Sequence, residues 1–268
     1  MLAARITTAA VLIAGLLAAL FLLPRPAGLA GLAAILVALA GFEWAKLCRL
    51  GRGPALAYAL LVAVLAAGLA LAPGAASAAA TIAGAAFWIV LAPLWLWRGV
   101  RAPHAAALAV AGLAVLVPAG VALALLSPLQ TLLALGLTWV ADTAAFFAGR
   151  RYGRRKLAPS ISPGKTWEGV AGAVAATLAY AIICAFLVPQ LRAGLTSGAW
   201  GGYATAVLVL CAASIVGDLF ESAAKRQAGV KDSGALLPGH GGVLDRVDSA
   251  TAVLPLAAVF WSLLAAAR

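Results

Sequence analysis

AAALAVAGLAVLVPAGVALALL, residues 105–126, contains no charged side chain. Wound as a helix, a run of this length crosses the hydrocarbon core of a bilayer, which takes roughly 20 apolar residues. Runs of the same kind recur along the whole 268-residue chain, which is 65% hydrophobic and 10% charged. Soluble domains carry about 25% charged residues. In lipid each backbone amide and carbonyl must be satisfied inside its own segment, so repeated apolar runs dictate α-helices. The reading is an all-α, polytopic transmembrane helical bundle of about nine spans. They lie near 6–23, 28–47, 55–72, 80–97, 105–126, 129–148, 167–188, 200–220 and 250–267. The first run is read as a span because it is long for a signal-peptide core and Pro24-Arg25-Pro26 is a poor cleavage site. Abundant Ala and Gly let helices approach closely, and the same property permits a homodimer.

The formal net charge is +11. It does not imply nucleic acid, because the basic residues sit in the loops between spans. With the N-terminus in the cytoplasm, 16 of the 19 Lys and Arg residues fall on the cytoplasmic side, leaving Arg25, Arg192 and Arg268 opposite. That asymmetry is the positive-inside pattern, and it favours an odd number of spans. The phosphate-bearing partners that remain are lipid head groups and nucleotides. Cys48, Cys184 and Cys211 are far apart, with neither metal-type spacing nor a disulfide framework.

Information is unevenly spread. Residues 1–128 form an N-terminal transmembrane region whose single acid is Glu43. Glu43 reads as a buried partner or a functional group, and Trp44 beside it as an interface anchor. Residues 129–268 form a C-terminal catalytic transmembrane region with seven of the eight acids. Its cytoplasmic loops are expected near 149–166 and 221–249.

The segment from Asp218 to Asp248 holds five of those acids. Asp218, Glu221, Ser222 and Lys225 are spaced i, i+3, i+4 and i+7, so a helix would line them along one face. Acids at membrane depth are costly and face protein or a water cavity. The plainer alternative is a solvated helix end with a Glu221–Lys225 ion pair. Asp245 and Asp248 repeat the i, i+3 spacing where the ninth span begins, although Asp248 before Ser249 also suits a helix N-cap. Carboxylates converging from two helix ends can hold Mg²⁺ near a phosphate, where the metal neutralises charge on a transferring phosphoryl group. Between them run Lys231-Asp232-Ser233-Gly234 and Pro238-Gly239-His240-Gly241-Gly242. Such glycines allow backbone amides to approach an anion, or merely make a turn.

A second polar block begins at Asp142, an acid inside the sixth span that needs a partner. The basic run from Arg150 to Lys156 suits interface anchoring and anionic lipid, not catalysis. Gly164-Lys165-Thr166 mimics the end of a Walker A loop. The required earlier glycine is Pro159 and no strand is expected before it, so a P-loop is rejected. Without a Gly-x-Ser-x-Gly elbow or a His-Glu-x-x-His motif, hydrolase and metalloprotease readings have no starting point.

At these residues the chain resembles the phosphatidate cytidylyltransferases, or CDP-diacylglycerol synthases. The resemblance is carried by Ser222, Lys225-Arg226, Lys231-Asp232, His240-Gly241-Gly242, Asp245-Arg246 and Asp248, all in register. Upstream it includes Asp142, Gly149-Arg150, Gly153, Lys156-Leu157, Pro159, Ser162-Pro163, Lys165-Thr166 and Glu168-Gly169. It covers about residues 139–250. Ala144, Phe146 and Ala224 depart from the usual residues.

The resemblance implies Mg²⁺-dependent transfer of a cytidylyl group from CTP to phosphatidate, in a bacterial inner membrane, with the site facing the cytoplasm. It implies Asp218 and Asp245 as preferred metal ligands, followed by Asp248 and Asp142. Lys225, Arg226, Lys231 and Arg246 would hold triphosphate or pyrophosphate. Ser222, Ser162, Lys165, His240, Gly241 and Gly242 would contact phosphate groups. Glu221, Glu168 and Asp232 would be metal or orienting groups. A cavity among the sixth to ninth spans, open sideways to lipid, is expected. The competing readings are a CTP-dependent lipid kinase or another lipid nucleotidyltransferase, and an ion-coupled transporter. The transporter predicts polar, broken helices in both halves, whereas the polar groups gather in one.

Overall fold

The computed structural model describes residues 2–99, 104–195, 198–236 and 241–266. Helix α1 (Leu2–Leu22) comes first. Eight further stretches among the described residues are long and apolar enough to cross a membrane. They are α2 (Ala27–Leu47), α3 (Arg52–Leu71), and α4 (Ala75–Ala86) continued through a π-helical turn (Phe87–Leu91) into α5 (Ala92–Trp97). Then come α6 (Ala105–Leu125), α7 (Pro128–Tyr152), α8 (Trp167–Leu187), α10 (Ala199–Ala228) and α11 (Leu244–Ala266). A short helix, α9 (Pro189–Gly194), follows α8. The protein is a helical, polytopic membrane bundle. The apolar part of α1, Ala10–Leu22, is shorter than the eight spans.

Local chemistry sets the helix ends. Ser127 accepts a hydrogen bond from the Gln130 amide and Gln130 reaches back to the Ser127 amide, a reciprocal cap at the start of α7. Thr166 Oγ1 accepts from the Gly169 amide and opens α8. α10 stops at Gly229, which takes a left-handed φ of 77°.

Three helices run past the apolar stretches that announced them. α7 continues to Tyr152, α10 to Ala228, and α11 already begins at Leu244. The loops expected at 149–166 and 221–249 are therefore shorter, because the polar ends are themselves helical. The first loop carries a hairpin, β1 (Lys156–Ala158) against β2 (Ser162–Thr166). This corrects the expectation that no strand precedes Gly164-Lys165-Thr166. The triplet lies in the extended backbone of β2 and runs straight into α8, whose first turn is already capped by Thr166 Oγ1 on the Gly169 amide; extended strand in place of a glycine-rich turn makes no phosphate-cradling loop. Ile161 at the hairpin tip is buried with Leu219 and Ala223, which seats the hairpin on α10.

One buried core runs through both halves of the chain, from Ala30 to Ala257. Small residues bring α7 and α8 into contact. A Cβ on Gly172 would collide with Ala148, and one on Gly169 would lie 2.9 Å from the Ala145 carbonyl. Phe220 locks α10 to the N-terminal half. Its ring lies 5.4 Å from Phe87, 5.5 Å from Trp88, 5.6 Å from Trp95 and 6.1 Å from Trp44. Trp44 is not an interface anchor. It is buried, and its Nε1 donates to the Leu108 carbonyl at 2.8 Å.

Candidate functional site

Asp218, Glu221, Ser222 and Lys225 lie along α10 one turn apart. Ser222 Oγ donates to Asp218 Oδ1 at 3.4 Å, and Lys225 Nζ meets Glu221 Oε2 at 2.5 Å. α11 starts against this face. Gly217 allows the approach, since a Cβ there would lie 2.9 Å from the Asp248 carbonyl. Ser249 Oγ donates to the Ser214 carbonyl at 3.1 Å. Asp245 is in the first turn of α11 and Asp248 one turn further in. The N-cap reading of Asp248 is thus overturned, as the helix begins four residues earlier. Its Oδ1 instead accepts from the Ser249 amide at 2.8 Å.

Where α7, α8, α10, α11 and the hairpin meet, they enclose a cavity of about 810 Å³. Its acids are Asp142, Asp218, Asp232, Asp245 and Asp248, and its bases Arg150, Lys165, Lys225 and Arg246. Ser162 and Thr166 also reach it. Ala145, Phe146, Leu157, Val170 and Ile215 contribute apolar surface to its wall. Lys165, delivered by β2, sits 2.5 Å from Asp218 Oδ2. Glu168, in the first turn of α8, holds the entry to β1, accepting from the Arg154 amide at 3.0 Å and the Arg155 amide at 3.2 Å.

Other expected contacts are arranged differently. Lys225 is shared between Glu221 and Asp245, whose Oδ1 is 2.6 Å away. Its charge is turned to protein acids before any phosphate arrives. Asp245 Oδ2 also accepts from Ser233 Oγ at 2.9 Å, from the Ser233 amide at 3.1 Å and from the Gly242 amide at 2.8 Å. A carboxylate has about four lone-pair sites, so Asp245, which also lines the cavity, would have to exchange one of these partners to meet a metal. Arg226 turns back to the Ile161 and Val230 carbonyls, both at 3.3 Å, outside the cavity lining. Lys231 and Ser222 also lie outside that lining. His240 lies outside the described residues.

Gly241 and Gly242 were expected to face substrate phosphate. Around them the anions are the protein's own. Gly241 has φ 81°, and a Cβ on it would come 2.9 Å from Asp245 Oδ2. A Cβ on Gly242 would collide with Ser233 Oγ and the Glu43 carboxylate. Glu43 is fully buried and accepts from the Val243 amide at 3.1 Å, the Leu244 amide at 2.8 Å and Ser233 Oγ at 3.1 Å. Motif spacing did not join Glu43 to the site. The one signal was its isolation as an acid in an otherwise apolar half. Arg150 was set aside as an anchor, yet it lines the cavity.

No group of three or more acids, cysteines or histidines is disposed to hold a metal among the described residues. Magnesium needs less, since it keeps several waters and takes one or two carboxylates plus substrate phosphates. Asp142, Asp218 and Asp248 offer hard oxygen donors to the cavity. Five acids against four bases leave no positive surplus to meet a polyphosphate. The donor set therefore fits Mg²⁺ arriving with its anionic ligand.

The family model described as "Cytidylyltransferase family" matches residues 3–264. The chain is 42% identical to the phosphatidate cytidylyltransferase of Pseudomonas aeruginosa over 284 aligned residues, covering 98% of each protein. It is 46% identical to the phosphatidate cytidylyltransferase of Haemophilus influenzae over 125 residues, 47% of this chain and 43% of that one. With that of Brucella suis it shares 48% identity over 129 residues, 48% of this chain and 45% of that one. The two shorter matches cover about half of the chain, whereas the family model and the Pseudomonas relative run through nearly all of it. On that end-to-end match, the chain belongs to the cytidylyltransferase family.

Proposed function

We propose that this protein transfers the cytidylyl group of CTP to phosphatidate, releasing pyrophosphate and leaving CDP-diacylglycerol in the membrane. The observation that carries the reading is the cavity itself. It sets acids and bases beside apolar surface, at the polar ends of membrane-spanning helices. A substrate with a phosphate head and acyl tails suits both kinds of lining. Relatives of bacterial origin that bear the same activity in their names support it.

The chemistry asks little covalent work of the protein. A phosphate oxygen of the lipid forms a bond to the α-phosphorus of CTP, and the bond from that phosphorus to the bridging oxygen of pyrophosphate breaks. Both reactants are anionic, so the barrier is largely repulsion and misalignment, and fixed cations and positioning lower it. Lys165, Arg246 and Arg150 line the cavity and would contact phosphate. Lys165 is held by Asp218 and would exchange that partner for a phosphate oxygen on binding. Phe146, Val170 and Ile215 would carry the first acyl carbons and keep the head group at the polar end. One or two of Asp218, Asp248 and Asp142 would hold Mg²⁺, which when bound neutralises charge on the triphosphate. The acidic and basic ends face the cytoplasm under the positive-inside pattern, where CTP is found.

The test is turnover by the purified protein in mixed micelles with labelled CTP and phosphatidate. Magnesium-dependent formation of a labelled liponucleotide with release of pyrophosphate is expected. Transfer of only the terminal phosphate of CTP, to a lipid alcohol, would instead identify a lipid kinase.

A further inference from the structure

We propose that Glu43 is a positioning residue for the cavity, setting the Lys231–Gly234 loop and the first turn of α11 from the opposite half of the chain. The inference rests on reading the cavity as the reaction site. Glu43 does not line that cavity. It lies on α2 and reaches partners 190 to 201 residues away in sequence.

The geometry is that of an anion at a helix N-terminus. The first amides of a helix have no partner inside it and carry partial positive charge. α11 opens at Leu244, and the Val243 and Leu244 amides both donate to Glu43. Val243, the residue before α11, has no side-chain acceptor, and the carboxylate from α2 takes the place of a cap. The same carboxylate holds Ser233 Oγ, and Ser233 Oγ is also 2.9 Å from Asp245 Oδ2. A relay thus runs from Glu43 through Ser233 to Asp245, and from Asp245 to Lys225 at 2.6 Å. The adjacent Arg246 lines the cavity.

The glycines of the loop are shaped around this group. A Cβ on Gly234 or on Gly242 would collide with the Glu43 carboxylate. The carboxylate fills the pocket that the glycine-rich segment leaves, so the segment folds against an internal anion. A solvated carboxylate could not do this, because the directional bonds exist only while Glu43 is buried and ionised groups are rarely buried without such donors.

The experiment compares Glu43→Gln, Ser233→Ala and the double variant in the full-length protein in detergent. Hydrogen–deuterium exchange is read over residues 231–246 alongside turnover. In each single variant, exchange over 231–246 should rise at least tenfold while α2 and α6 are unchanged. kcat/KM should fall roughly 10–100-fold, the range for removing a group that orients a site residue. The double variant should lose little more than the worse single one, because both cut one relay. Losses that multiply, or wild-type exchange and turnover in Glu43→Gln, would overturn the proposal. If Glu43→Gln does not fold, Ser233→Ala decides, since it breaks the relay and leaves the helix cap intact. A wild-type protein that makes no liponucleotide while the variants still loosen residues 231–246 would remove the functional reading and leave the positioning role.

Discussion

Replacing Lys225 by Met removes one ammonium and keeps most of the side-chain stem. In the structure that ammonium lies 2.5 Å from Glu221 and 2.6 Å from Asp245, with Lys225 only 12% exposed. At an effective dielectric near 20, each contact is roughly 6 kcal/mol of gross attraction. Desolvation of three ions offsets most of it. Removing one member of a buried pair typically costs about 3–5 kcal/mol, because the partner is left uncompensated. Here two carboxylates are left, so a loss at the upper end, about 4–5 kcal/mol, is expected. The two are not equally stranded. Asp245 keeps its Ser233 and Gly242 donors, whereas Glu221 Oε1 has no hydrogen-bond partner among the described residues. Adding Glu221→Gln to Lys225→Met should therefore restore about 2 kcal/mol. The assay is equilibrium unfolding in mild detergent titrated with sodium dodecyl sulfate, followed by tryptophan fluorescence, with turnover measured on the same samples. Wild-type stability in Lys225→Met together with lost turnover would refute the reasoning. It would mean that Lys225 serves substrate and is not tied to the two acids.

Three further outcomes are expected. Gly112→Ala puts a methyl group onto Trp44 Nε1 and Tyr58 Oη; overpacking of this kind costs about 1–3 kcal/mol, readable as earlier unfolding in the same titration. Lys165→Met should cost less than about 1 kcal/mol of stability, because its pair with Asp218 is a quarter exposed. The same variant should lower kcat/KM for CTP roughly 10–100-fold, the loss of a charge-assisted contact to phosphate. Asp248→Asn should raise the Mg²⁺ concentration for half-maximal turnover by about tenfold or more, since carboxylate charge sets affinity for hard cations; an unchanged metal requirement would remove Asp248 from the ligand set.

How far the sequence could be read follows from the range of the forces involved. A helix facing lipid is decided by its own residues, so the apolar runs alone announced a membrane bundle. Where charge begins, they mislead: α7, α10 and α11 continue past the apolar limit because polar residues are no barrier to a helix once it leaves the lipid. The i, i+3, i+4, i+7 spacing of Asp218, Glu221, Ser222 and Lys225 is local as well, and the face it foretold is present.

What each group on that face meets is not local. Lys225 is engaged by Asp245 because Gly217 lets α11 pack against α10, and Phe220 fixes the rotation of α10 among aromatic rings from α2 and the α4–α5 segment. Lys165 reaches Asp218 only because the hairpin folds onto α10. Gly234 and Gly242, from the segments read as a phosphate cradle, close on Glu43, a residue 200 positions away from the Val243 amide it caps. By itself the sequence determined the medium, the helices and the family register, which depend on composition and near-neighbour spacing. The tertiary structure decided which acids remain open and which are already satisfied, because hydrogen bonds and ion pairs form between whichever groups the packed helices bring within about 3 Å.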